Sequence, residues 1–186
     1  MKQASFLPKL PRDHGGDLRA KKRKTARPFS HKQAIHVVFR SSNARGKWSM
    51  LTRNNERLIQ KLLNECKARY HIRVYRSVNV GNHLHLLVKT ETRQYAIAKT
   101  EFQAFLRRFA GAVAFQITGA RKTNPRKFWD KLVYSRLVTW GREHEVLHDY
   151  LTKNFFESKG LWWGPNDSWF RPVRESLIAA GLGPPG

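Results

Sequence analysis

The sequence predicts an α+β fold, an antiparallel sheet with helices on one face. Three observations carry that expectation. Short β-branched and aromatic runs alternate with longer helix-periodic stretches, in the order strand, helix, two strands, helix, strand, helix. The two middle strands are joined through Gly81-Asn82, a turn signal, so they read as a hairpin over residues 72–88. Apolar residues make up 40% of the 186-residue chain and aromatics 12%, enough for one packed domain. A ferredoxin-like split βαβ is the simplest layout with this order.

The elements follow along the chain. Residues 1–30 read as a basic flexible arm. They hold three prolines, Gly15-Gly16 and nine basic residues against Asp13 and Asp17, too little apolar surface to offset ordering entropy. Ala34-Ile35-His36-Val37-Val38-Phe39 reads as the first strand. Asn54 opens a helix whose stripe is Leu58, Leu62, Leu63 and Cys66. Ile72 to Val78 alternates as a strand, and His83 to Lys89 is its partner. Between Thr100 and Phe115, apolar residues recur at helical spacing from Phe102 through Phe105, Leu106, Phe109 and Val113. Those aromatics belong to a core. Gly119 to Arg126 is a basic turn, Phe128 to Tyr134 a short strand, and Glu143 to Phe156 a helix with acidic residues in its first turn. Trp162, Trp163 and Trp169 follow, either as base-stacking side chains or as staples for the C-terminal segment. Residues 173–186 form a tail ending in Gly-Pro-Pro-Gly.

Charge narrows the function classes. The chain carries 36 Lys+Arg against 13 Asp+Glu, a net charge of +23. Such a charge calls for a polyanion, and nucleic acid is the natural one. A membrane surface fits less well, because the basic residues are spread along the chain rather than gathered on one amphipathic helix. No apolar run reaches the roughly 18 residues of a membrane span. Cys66 is the single cysteine, which excludes an internal disulfide and suits a reducing cytosol.

The chemistry starts at His83-Leu84-His85, inside the run Val78-Asn79-Val80-Gly81-Asn82-His83-Leu84-His85-Leu86-Leu87-Val88. Two residues apart on a strand, the imidazoles share one face. Neutral imidazoles bind divalent ions, but two ligands are too few and a third must come from elsewhere. Further on, Tyr150 and Asn154 are four apart and share one helix face. A tyrosine hydroxyl can attack a phosphodiester, and an amide oxygen one turn later can complete a hard-cation site. On spacing alone, Tyr150 reads first as a core residue of an amphipathic helix.

Asn82-His83-Leu84-His85-Leu86-Leu87-Val88, Lys127-Phe128-Trp129, and Asp149-Tyr150 with Asn154 together resemble the HUH single-tyrosine transposases, most nearly the REP-associated tyrosine transposases. The likeness spans about residues 31–172, taken as the catalytic domain. It implies a ferredoxin-like fold with a catalytic tyrosine on a late helix. It implies Mg²⁺ or Mn²⁺ held by His83, His85 and Asn154. Tyr150 would attack single-stranded DNA at the foot of a hairpin, giving a 5′-phosphotyrosine. The chain departs from the family's usual residues ahead of His83, and Phe155 follows Asn154 where relatives often have proline. Phosphate contacts are expected from Lys21, Lys22, Arg23, Lys24, Arg107, Arg108, Arg121, Lys122, Arg126 and Lys127. The implied protein is a bacterial, cytoplasmic, nucleoid-associated monomer or homodimer. The other reading is a domesticated protein that grips structured nucleic acid without cutting it.

Overall fold

The computed structural model describes residues 12–16, 25–121, 123–158 and 160. Its elements are β1 (Asp13–His14), β2 (Ala34–Arg40), α1 (Arg53–Arg69), β3 (Ile72–Asn79), β4 (His83–Thr90), α2 (Tyr95–Thr118), β5 (Tyr134–Val138) and α3 (Arg142–Ser158). The sheet order is β1-β5-β2-β4-β3, and every pairing is antiparallel. Without β1, this is the ferredoxin-like arrangement expected from the element order. The hairpin β3–β4 turns through Gly81, whose φ of 93° lies where glycine is at ease.

Alternation sorts the strands onto two faces. Ile35, Val37 and Phe39 of β2 and Leu84, Leu86 and Val88 of β4 face α1 and α2. There they meet Phe102, Phe105 and Phe109, each fully buried. Each such ring contributes roughly 1.5–3 kcal/mol of transfer free energy. Thr52 caps α1 by accepting from the Asn55 backbone N–H at 3.3 Å. α2 is longer than the periodic core of its sequence and ends on Gly119 at φ 63°.

The expectation of helices on one face holds for α1 and α2. The third helix lies across the other face, where Leu147, Tyr150 and Leu151 cover Ala34, Val78, Leu87 and Val138. Both faces of the sheet are therefore covered, and the exposed-looking side of the sequence alternation carries the smaller core.

Two further expectations change. The strand expected at Phe128–Tyr134 instead spans Tyr134–Val138. Phe128 is an anchor for the crossover from α2, 2% exposed in the main core, with its carbonyl accepting from the Ser41 hydroxyl at 2.6 Å. Trp129 donates from Nε1 to the Ala110 carbonyl, a side-chain role rather than a ladder. The segment read as an arm is partly docked. Asp13–His14 add an edge strand to β5, Phe29 enters the main core, and Arg27 donates to Ser135 and to the Val133 carbonyl. The run Lys21 to Lys24, Trp162, Trp163, Trp169 and residues 173–186 lie outside the described residues. No helix among the described residues is long and apolar enough to cross a membrane.

Candidate active site

The histidines of β4 face α3, on the side of the sheet away from α1 and α2. The same alternation that sends Leu84 and Leu86 into the main core sends His83 and His85 the other way. Their rings lie 6.1 Å apart between centroids at an interplanar angle of 25°. A third imidazole joins them. His36 on β2 is two positions from the residue paired with His85. Its Nε2 is 3.2 Å from Nδ1 of His85, and the two rings stack at 5.5 Å. Sequence reasoning missed His36. It is a polar residue on the opposite face of β2 from Ile35, Val37 and Phe39, but only the β2–β4 register shows which histidine it meets.

Tyr150 reaches this group from α3. Its ring stands edge-on to His85, with centroids 6.2 Å apart at 84°. The tyrosine is 9% exposed and packs with Leu147 and Leu151, so its core role and its place beside the histidines are the same fact. Asn154 is half-buried one turn further along α3.

Electrostatics keep the imidazoles neutral. Burial, assisted by the Arg136 guanidinium, lowers His36 to about 4. Burial also pushes His85 well below the usual histidine range, with His36 and His83 adding to the effect. His83 is lowered by burial and by Arg40, with Asp130 opposing. Neutral rings have lone pairs to offer. The Asn82 Oδ1 lies 2.8 Å from Nδ1 of His83 and accepts a proton held there, which leaves Nε2 bare. If Nδ1 of His85 likewise donates to His36, its Nε2 is bare as well. Such fixing of the second nitrogen is the usual support of a metal-binding imidazole.

These donors suit a divalent ion only in part. Among the described residues, no group of three or more His, Cys, Asp or Glu is placed to hold a metal. Any site would rest on His83, His85 and an amide oxygen such as that of Asn154. Two nitrogens and one oxygen match Mn²⁺ better than Mg²⁺, which prefers an oxygen shell.

The expected phosphate contacts divide. Arg107 and Arg108 are exposed on α2, with the sheet between them and the histidines. Arg126 and Lys127 are exposed on the crossover that docks on the end of β2. There Asn43 donates to the Lys127 carbonyl, Asp130 N–H donates to the Arg40 carbonyl, and Arg40 is paired with His83. The Arg126 guanidinium donates to the Thr118 carbonyl and lies over Trp48. Arg121 is exposed at the start of the same turn, and Lys122 lies outside the described residues. Of these expected contacts, those on the basic turn, not those on helix α2, lie on the segment that docks at the His83 end of β2.

The five-stranded antiparallel sheet with its three helices is found again among solved structures. One is the structure of a REP-associated tyrosine transposase bound to a REP hairpin. It matches with a TM-score of 0.55 over 88% of this chain and 89% of that one, at 12% identity. This chain has the fold of a REP-associated tyrosine transposase. A candidate transposase from Deinococcus radiodurans also matches, at a TM-score of 0.42 and 13% identity over 71% of this chain and 97% of that one; that likeness is too loose to bear on the fold. No protein-family model matches the chain, and no curated protein matches it. This fold agrees with the α+β fold that the resemblance implied.

Proposed function

We propose that the chain is a HUH-type tyrosine transposase: a metal-dependent endonuclease and strand transferase for single-stranded DNA at the foot of a hairpin. The observation that carries this reading is the edge-on approach of Tyr150 to His85 on the α3 face of the sheet. The fold of a transposase seen bound to a hairpin supports it, and so does the net charge of +23.

In this reading Tyr150 gives up its hydroxyl proton to solvent and its oxygen attacks a backbone phosphorus. A phosphotyrosine P–O bond forms, the bond from phosphorus to the 3′-oxygen breaks, and that oxygen leaves as a 3′-hydroxyl after taking up a proton. The DNA on the 3′ side of the cut stays on the protein through its 5′-phosphate, poised for transfer to a new 3′-hydroxyl. His83, His85 and Asn154 would hold Mg²⁺ or Mn²⁺, which supplies Lewis-acid stabilisation of charge on the phosphate. The apolar cluster of Val78, Leu87, Leu147 and Leu151 around Tyr150 would restrict water on that side of the phosphotyrosine. Arg126 and Lys127 hold the DNA backbone near His83.

A DNA hairpin with a single-stranded 5′ flank tests the assignment. Wild-type protein should cut it with Mn²⁺. His83→Ala and His85→Ala should lower cleavage at least 100-fold, on the order expected for loss of a metal-supported step, while hairpin binding in low salt changes little. Cleavage that survives both substitutions contradicts the site. Tight hairpin binding by the wild type with no cleavage in Mg²⁺ or Mn²⁺ assigns the chain to the non-cutting binders instead.

A further inference from the structure

A second feature of the α3 face lies at the other end of β4. A cleft of about 470 Å³ opens there, with Lys32, Arg73, Tyr75, Lys89, Glu91 and Arg93 among its lining. That volume is in the range of small-ligand sites. Glu91 is taken by Arg73 at 3.0 Å, so the cleft's remaining charge is cationic.

Tyr75 is the cleft's aromatic wall, and Trp140 adjoins Tyr75 just beyond the lining. The β3–β4 register shifts between Val74 and Arg76, and Tyr75 is the extra residue of that bulge. Tyr75 shares the α3 face with Arg73, and there it stands edge-on to Trp140 at 5.5 Å and to His144 at 5.9 Å. Trp140 is fixed by its Nε1–H donating to the Lys32 carbonyl at 3.0 Å, yet it remains 46% exposed. Lys89 Nζ lies 5.5 Å from its ring centre. The indole is pinned at its polar edge and tilted against His144 at 4.9 Å, yet it keeps exposed ring surface on which a base can stack.

Position links the cleft to the histidines. Lys89 follows His85 by four residues and shares its face, a separation of about 13 Å along a strand. α3 runs from His144, against Trp140, to Tyr150, against His85.

We propose that this cleft binds an unpaired nucleotide of single-stranded DNA, with the base stacked on Tyr75 and Trp140 and the phosphate held by Lys32, Lys89 and Arg93. The choice of DNA as the polyanion rests on the function proposed above. A base stacked on an aromatic side chain is worth about 1–3 kcal/mol and tolerates any sequence, so the cleft would hold a strand without reading it.

The test is fluorescence anisotropy of a labelled oligothymidylate, against a blunt duplex of equal length, at one salt concentration. Tyr75→Leu and Trp140→Leu should each weaken oligothymidylate binding roughly ten-fold and leave duplex binding within about two-fold. Tyr75→Phe, which keeps the ring, should bind like wild type. Equal losses on both DNAs, or no loss with Tyr75→Leu, overturn the proposal. Matching circular dichroism and melting temperatures establish that the leucine variants are folded. Tyr75 is itself 37% exposed, so its replacement leaves no buried cavity. The same assay in a Tyr150→Phe background separates the two claims. Selective loss there upholds the cleft even if the wild type never cuts DNA. Cleavage without selective loss removes the cleft and keeps the nuclease.

Discussion

The His85 ring touches three others, those of His36, His83 and Tyr150. Its hydrogen bond with His36 needs one proton between two neutral rings, so the pair has two tautomers. One puts the proton on Nδ1 of His85 and leaves its Nε2 free for a cation. It also puts the His36 proton on Nδ1, which is buried and has no partner among the described residues. The other tautomer reverses this. A bound cation would select the first, at the cost of an unpaired buried N–H. The same burial gives a pH prediction. His36 is depressed to about 4 in the folded chain against an ordinary value near 6.5. Below pH 6.5 the unfolded chain therefore binds protons that the folded chain refuses, so the neutral ring's stability is present above 6.5 and is lost as pH falls towards 4. The loss from His36 alone is at most roughly 3 kcal/mol. Metal-free protein should melt progressively lower from pH 7 to pH 4, and His36→Phe should flatten the curve. Identical slopes for the two proteins would remove His36 as the cause. His83 and His85 were readable from sequence because strand alternation is local. His36 was not, because its partner is 49 residues away and depends on register.

Helix α3 is where stability and site meet. Its first turn is tied down by Glu143, which takes Arg136 at 3.0 Å and Arg12 at 2.7 Å. Its middle is held by Leu147 and Leu151 against the sheet. Leu151 is fully buried and adjacent to Tyr150. Leu151→Ala should cost about 2–5 kcal/mol, because the removed side chain leaves a cavity. The loss is checked by urea unfolding, and a cost below about 1 kcal/mol would mean that α3 is not packed as described. The helix itself was readable from its period and its acidic first turn. Strand β5 was displaced in the reading because Phe128-Trp129 looks like strand composition. Both rings serve instead as anchors in a connection, and composition does not distinguish a buried loop aromatic from a strand aromatic.

Across the whole molecule, element order was enough to give the sheet topology, because short connections and antiparallel hairpins leave few layouts. It did not give the face on which α3 lies. The strands alternate between two apolar sets, and either could have been left to solvent. Nor did it show Asp13–His14 joining the sheet, since two residues carry no periodic signal. The net charge of +23 is a property of the whole chain, and its prediction belongs at this scale. Affinity for single-stranded DNA should fall with salt on a log–log slope of roughly −0.7 per phosphate contact. Removing Arg126 and Lys127 together should make that slope shallower by about 1–1.5, while Arg107→Ala should alter hairpin cleavage little. A nearly flat salt dependence for the wild type would contradict a basic DNA-binding surface.

The central claim is that Tyr150, set against His85, becomes covalently joined to DNA. Intact-mass measurement after incubation with Mn²⁺ and a flanked hairpin tests it most directly. The wild type should gain the mass of the 5′-phosphorylated fragment, mapped by digestion to the peptide containing Tyr150, and Tyr150→Phe should gain none. An adduct of the same mass on Tyr150→Phe would contradict the assignment.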